Sequence, residues 1–280
     1  MTVAVFDPRQ CALGEGPLWH PLRGQLFWFD ILGKRLLSRD DSGAREWLFK
    51  QYVSTAGWIS ADELLIASES ALFRFHLETG ISEPVANLEA DNPATRSNDG
   101  RADPWGGFWI GTMGKDAEQG AGAIYRFHNG GVTQLFSGFT IPNAICFAPD
   151  RRHAYFTDTS TRRIMRQKLD GEGWPLGAPT LFVDLGIEGL NPDGAVVDAE
   201  GCLWNAQWGA SRVARYAPDG AFISAITFPA RQISCPAFGG DNQATLFATS
   251  AADGLTGESD GQTFSCLQAI KGQSEHQVRL

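Results

Sequence analysis

The stretch Arg96-Ser97-Asn98-Asp99-Gly100-Arg101-Ala102-Asp103-Pro104, followed by Gly107-Phe108-Trp109-Ile110-Gly111-Thr112-Met113, decides the reading of the whole chain. Polar side chains able to hold a ligand precede a turn, and an apolar run with strand character follows it. The arrangement returns along the sequence. With Trp109 as reference, apolar or aromatic strand residues fall at Phe27, Leu65, Tyr155, Trp204 and Phe247, at intervals of roughly 40 to 50 residues. About 11 or 12 residues ahead of these positions stand Glu15, Ser54, Asn98, Asn143, Asp193 and Cys235, so one polar position recurs six times.

Between these points the chain reads as short strands broken by glycine, proline and aspartate turns, among them Glu63 to Ser68, Arg163 to Lys168 and Arg212 to Tyr216. No long helical period intervenes. Short strands at this repeat length predict an all-β fold, a single six-bladed β-propeller over residues 1–280, in which each blade buries its faces against its neighbours. Thr2 to Phe6 is expected to close the ring by joining the last blade beside the C-terminal segment. In such a ring the innermost strand of every blade lines the central channel, so Glu15, Asn98, Asn143 and Asp193 are expected to meet at one mouth. Two carboxylates with amide oxygens suit a hard divalent cation. Asp99, Asp103, Asp150 and Asp198 read as turn formers.

Composition narrows the function. The 280 residues are 43% hydrophobic, enough for a sizeable core, and the net charge of -9 opposes a nucleic-acid backbone as partner. No apolar run approaches the roughly 18 residues of a membrane span, and Met1 to Gln10 lacks the pattern of a secretion signal, so no membrane partner and a cytoplasmic location are expected. The cysteines Cys11, Cys146, Cys202, Cys235 and Cys266 are odd in number and without a CxxC pair, which predicts buried free thiols. The histidines lack metal-binding spacing. A GxSxG elbow and a GxxxxGK loop are both missing, against serine-hydrolase or nucleotide chemistry.

Gly14-Glu15-Gly16-Pro17, Arg96-Ser97-Asn98-Asp99-Gly100, Gly111-Thr112-Met113, Pro142-Asn143, Pro192-Asp193-Gly194, Trp208-Gly209 and Phe238-Gly239-Gly240 occur in that order across nearly the whole chain. Together they resemble the senescence marker protein, regucalcin and gluconolactonase group of metal-dependent lactonases. The resemblance implies one divalent metal held by Glu15, Asn143 and Asp193. It also implies substrate contacts from Arg96 and Asn98, with Glu118 as the nearest match to a further contact in the loop 114–122. Ca²⁺ heads the candidate ions for its fit to oxygen ligands; Zn²⁺ is also used in the family, and Mn²⁺, Mg²⁺ or Fe²⁺ suit the same donors. One departure stands out. Where the family often has Asn-Gly in the fourth blade, this chain has Asn143-Ala144.

The expected reaction is hydrolysis of a sugar lactone, with the metal polarising the carbonyl and Asp193 activating water. Two other classes fit the same features: a metal-dependent esterase or phosphotriesterase on the same scaffold, which needs an apolar pocket, and a non-catalytic calcium-binding propeller. Trp208 and Met113 suit either the pocket wall or the core.

Overall fold

A four-stranded sheet with apolar residues on both faces is stable only when both faces are covered, and six such sheets set around an axis cover one another. The computed structural model, which describes residues 2–40 and 42–280, has this arrangement and is a six-bladed β-propeller. The inner strands are Gly14–His20, Val53–Ser60, Thr95–Ala102, Pro142–Phe147, Asn191–Val197 and Gln232–Gly239. Each packs against the next, and the last against the first, so they form a closed ring. Burial falls off outward. Thr95–Ala102 is buried at every residue, whereas the outer strand Gly43–Leu48 alternates half-buried and exposed residues in the period of a one-sided sheet.

The ring closes as the sequence predicts. Val3–Asp7 pairs antiparallel with Thr263–Leu267 and supplies the outermost strand of the sixth blade, whose other strands come from the C-terminal end of the chain. Phe6 makes edge contacts with Phe247 and Trp28, and the buried carboxylate of Asp7 takes hydrogen bonds from Arg9 at 2.9 and 3.0 Å. The far end of the channel is closed by the chain's last residues. Gln273 donates to the carbonyls of Phe147 and Val197, Glu275 forms a buried ion pair with Arg101, and Val278 packs where Gly57 leaves room. The channel therefore opens at one face.

Every inner strand carries a register shift against its neighbour, and each shift falls at or beside the recurring polar position. In five blades two residues of the inner strand oppose one on the second strand: Gly16 and Pro17, Asn98 and Asp99, Ala144 and Ile145, Asp193 and Gly194, Ser234 and Cys235. A bulge re-aims the side chains beside it. Gly16 takes the left-handed conformation that such a bulge favours, and Ala144 takes the same conformation with φ 56. A non-glycine residue there costs roughly 1–2 kcal/mol, so Ala144 holds its place in the bulge at some cost in strain.

The aspartates read as turn formers divide. Asp103 and Asp198 accept backbone N–H groups two and four residues on, and each also holds a buried arginine, Arg126 or Arg215. Asp150 accepts from Arg152 N–H in an exposed turn. Asp99 is different and corrects the expectation: it lies inside an inner strand, buried, and accepts the Ile145 N–H at 2.7 Å, which ties the third blade to the bulge of the fourth. All five cysteines are buried and free.

Deleting Thr2–Phe6 removes a strand and the Phe6 contacts and is expected to lower the melting temperature by roughly 5–10 °C. Thermal scans of the truncated and full chains check this, and equal midpoints would contradict closure by the N-terminal strand.

Candidate active site

Four of the six recurring positions converge. Glu15, Asn98, Asn143 and Asp193 line one cavity of about 300 Å³ at the open mouth of the channel, together with Arg96. Its walls come from the ends of second strands and the loops after them: Met113, Thr159, Trp208 and Asp253, with Leu13 and Ile141 at the rim. Met113 and Trp208 thus belong to the wall. The other two recurring positions serve the ring itself. Ser54 donates to Ser97 Oγ at 2.7 Å between inner strands, and Cys235 lies so close to Gly194 that a Cβ there would sit 2.3 Å from its Sγ.

The floor of the cavity concentrates negative charge away from water. Glu15 is 6% exposed and Asp193 is 4% exposed. Their nearest N–H groups belong to the residues that follow them, Gly16 and Gly194. Burial, and then repulsion from Asp99, pushes the Glu15 carboxyl up to about 8. Burial, and then repulsion from Glu15, holds Asp193 well above the usual carboxylate range. Asp99 is raised too, chiefly by burial. Among the described residues that line the mouth, Arg96 is the one cation, and burial lowers its own value to about 10. Two dehydrated carboxylates with so few donors, beside an amide oxygen, are the donor set of an oxygen-coordinated divalent cation, and Glu15, Asn143 and Asp193 fit one.

The polar residues beside the carboxylates are tied to each other. Arg96 Nη1 donates to Ser97 O and to Asn98 Oδ1, each at 2.9 Å. Asn98 Nδ2 donates to Pro142 O and to Asn143 Oδ1, each at 3.0 Å, so both amide hydrogens of Asn98 are engaged within the protein. Glu118 stands apart from the cavity. It is exposed, and its carboxylate turns back to accept the Asp116 N–H at 3.1 Å. The left-handed Ala117, φ 56, and the close packing of Glu118 on Gly114 explain why it folds onto its own loop. Thr159 and Asp253 line the cavity and carry no sequence signal, because both follow second strands, outside the recurring inner-strand position.

Among the described residues, Asp198, Glu200 and Cys202 form another cluster with metal-ligating atoms. Its carboxylates are already engaged: Arg215 binds both at 2.7 Å, and Trp204 Nε1 donates to Asp198. Among the described residues lining the channel mouth, none binds Asp193 in this way.

For a carboxyl whose folded value is raised, stability is fully present below the unfolded value, 4.5 for Glu15, and is lost as pH rises toward about 8. A bound cation takes the place of the proton. If the site binds Ca²⁺, the rise in melting temperature that Ca²⁺ gives over chelator is expected to grow between about pH 6 and about pH 8.5. Paired thermal scans check it; a gap that narrows over that range would contradict the charge balance described.

Known proteins share the architecture and the sequence. A Rhizobium meliloti (strain 1021) protein carrying a provisional name as a sugar lactone lactonase is 42% identical over 277 residues, covering 96% of this chain and 94% of its own. Pentonolactonase XacC of Haloferax volcanii is 34% identical, covering 96% of this chain and 93% of its own. The crystal structure of a calcium-binding protein, regucalcin, from Agrobacterium tumefaciens str. C58 superimposes with a TM-score of 0.95 at 40% identity, covering 99% of this chain and 97% of the other. The model of the SMP-30/Gluconolactonase/LRE-like region matches residues 13–252, from just ahead of Glu15 to just short of Asp253, and the chain belongs to that family.

Proposed function

We propose that the protein hydrolyses a sugar lactone to the corresponding aldonic acid with the help of one divalent cation. The observation that carries this reading is the donor set on the cavity floor, where Glu15, Asn143 and Asp193 meet with oxygen ligands and too few hydrogen-bond donors to balance them. A divalent cation there supplies Lewis acidity, polarising a carbonyl oxygen and stabilising the charge that develops on it. Ca²⁺ suits three oxygen donors best, with Zn²⁺ next.

The chain's own groups do the rest. Asp193, which lines the cavity floor, takes the proton of the water that attacks the lactone carbonyl carbon. The C–O bond to the ring oxygen then breaks, and the same proton neutralises the leaving alkoxide as the hydroxyl of the open-chain acid. Arg96 offers N–H groups to the sugar oxygens, which lose hydrogen bonds to water on entering the cavity. Leu13, Met113, Ile141 and Trp208 present apolar surface to the carbon faces of the ring and exclude bulk water. The names of the relatives, sugar lactone lactonase and pentonolactonase, support a lactone over an aryl ester or a phosphotriester.

A panel of glucono-, galactono-, xylono- and arabinonolactones, assayed with and without chelator, tests the proposal. At least one is expected to turn over, with activity lost on chelation and restored by cation. Asp193→Ala is expected to lower kcat/KM by roughly 10²- to 10⁴-fold while the fold is retained. Chelator-resistant turnover, or aryl-ester and phosphotriester turnover without any lactone turnover, would overturn it.

A further inference from the structure

Resting on that reading, one residue outside the ligand set decides which way a ligand faces. An asparagine amide has an oxygen end and a nitrogen end of nearly the same shape, and only the oxygen can bind a cation. Asn143 sits in a line of hydrogen bonds that crosses three blades. Arg96 Nη1 donates to Asn98 Oδ1 at 2.9 Å, Asn98 Nδ2 to Asn143 Oδ1 at 3.0 Å, Asn143 Nδ2 to Thr159 Oγ1 at 3.0 Å, and Thr159 Oγ1 to Pro192 O at 2.7 Å.

The direction of this line is set at both ends. A guanidinium can only donate, so Asn98 turns its oxygen to Arg96 and its nitrogen to Asn143. A backbone carbonyl can only accept, so the single proton of the Thr159 hydroxyl goes to Pro192 O. The Thr159 oxygen is then left as an acceptor, and Asn143 must present its nitrogen there. Its oxygen is turned the other way, toward Asn98, with one lone pair still free for a cation.

We infer that Thr159 is a positioning residue that fixes the amide of Asn143 with its oxygen toward the cation. Local structure holds Thr159 for this role. It begins the 3₁₀ turn Thr159–Thr161, capped by Asp158 through the Ser160 N–H at 3.0 Å. Asp158 also accepts the N–H groups of Thr140 and Ile141, and Thr159 N–H donates to Ile141 O, so the turn is fastened to the segment that leads into Pro142 and Asn143. Its bond to Pro192 O, one residue before Asp193, joins the ligands of the fourth and fifth blades.

The test is Ca²⁺ binding by calorimetry on chelator-stripped full-length protein. Thr159→Val keeps the shape but neither donates nor accepts, and is expected to weaken Ca²⁺ binding by about 10- to 100-fold, while Thr159→Ser restores it. Asn143→Asp supplies the control, because a carboxylate has two oxygens and no wrong end. In that background Thr159→Val is expected to change affinity by no more than about twofold, giving a large coupling between the two sites. Should the valine variant fail to fold, Thr159→Ala carries the same comparison. Equal losses in both backgrounds, or wild-type affinity in Thr159→Val, would overturn the inference while leaving the lactonase reading intact. A wild-type protein that takes up no cation overturns both.

Discussion

Two carboxylates held out of water at the mouth of a closed ring are the constraint on which this structure turns. Glu15 and Asp193 arrive from the first and fifth blades and are almost fully buried; burial, with repulsion from Asp99 at Glu15 and from Glu15 at Asp193, raises both proton affinities. Isolated buried charge is costly, and proteins neutralise it with a partner, a proton or a metal. Elsewhere in this chain the partner is an arginine: Asp103 has Arg126, Asp198 has Arg215, and Glu275 has Arg101. At the mouth the nearest guanidinium, Arg96, is turned to Ser97 O and Asn98. The imbalance remains where a cation can enter.

Radial closure supplies the proximity, and the bulges supply the aim. An unbroken strand alternates its side chains between the two faces of its sheet and points few of them along the axis. Shifting the register at the same place in each inner strand turns the recurring residue toward the mouth. The blades then brace one another through these irregular points. Asp99 holds the Ile145 N–H, Asn98 holds Pro142 O and Asn143, and Thr159 holds Pro192 O, so the site is built from bonds that cross between blades.

The ring and most of the cavity floor were legible in the sequence because both follow the repeat. A polar residue about 11 or 12 positions ahead of each strand reference is a one-dimensional signal of a radial arrangement, and Glu15, Asn98, Asn143 and Asp193 all obey it. Ser54 and Cys235 obey it as well and do not reach the cavity, since occupying the recurring position says where a backbone lies and not what its side chain touches. Asp99 is not a turn residue although Asn-Asp-Gly is turn-forming in composition: it sits in a bulge against the next strand, Phe108–Gly114, and accepts the Ile145 N–H of the neighbouring blade, a contact that no local pattern signals. Glu118 lies in a loop whose path is set by a left-handed alanine, and Thr159 and Asp253 sit in loops outside the repeat. No periodicity constrains such segments.

The most direct test of this account is a crystal structure of the protein grown with a divalent cation and measured at a wavelength where that ion scatters anomalously. The account predicts one anomalous peak per chain at the channel mouth, with oxygens of Glu15, Asn143 and Asp193 as its protein ligands. A peak beside Asp198 and Glu200, or an ion-free mouth with the three side chains turned apart, would contradict it.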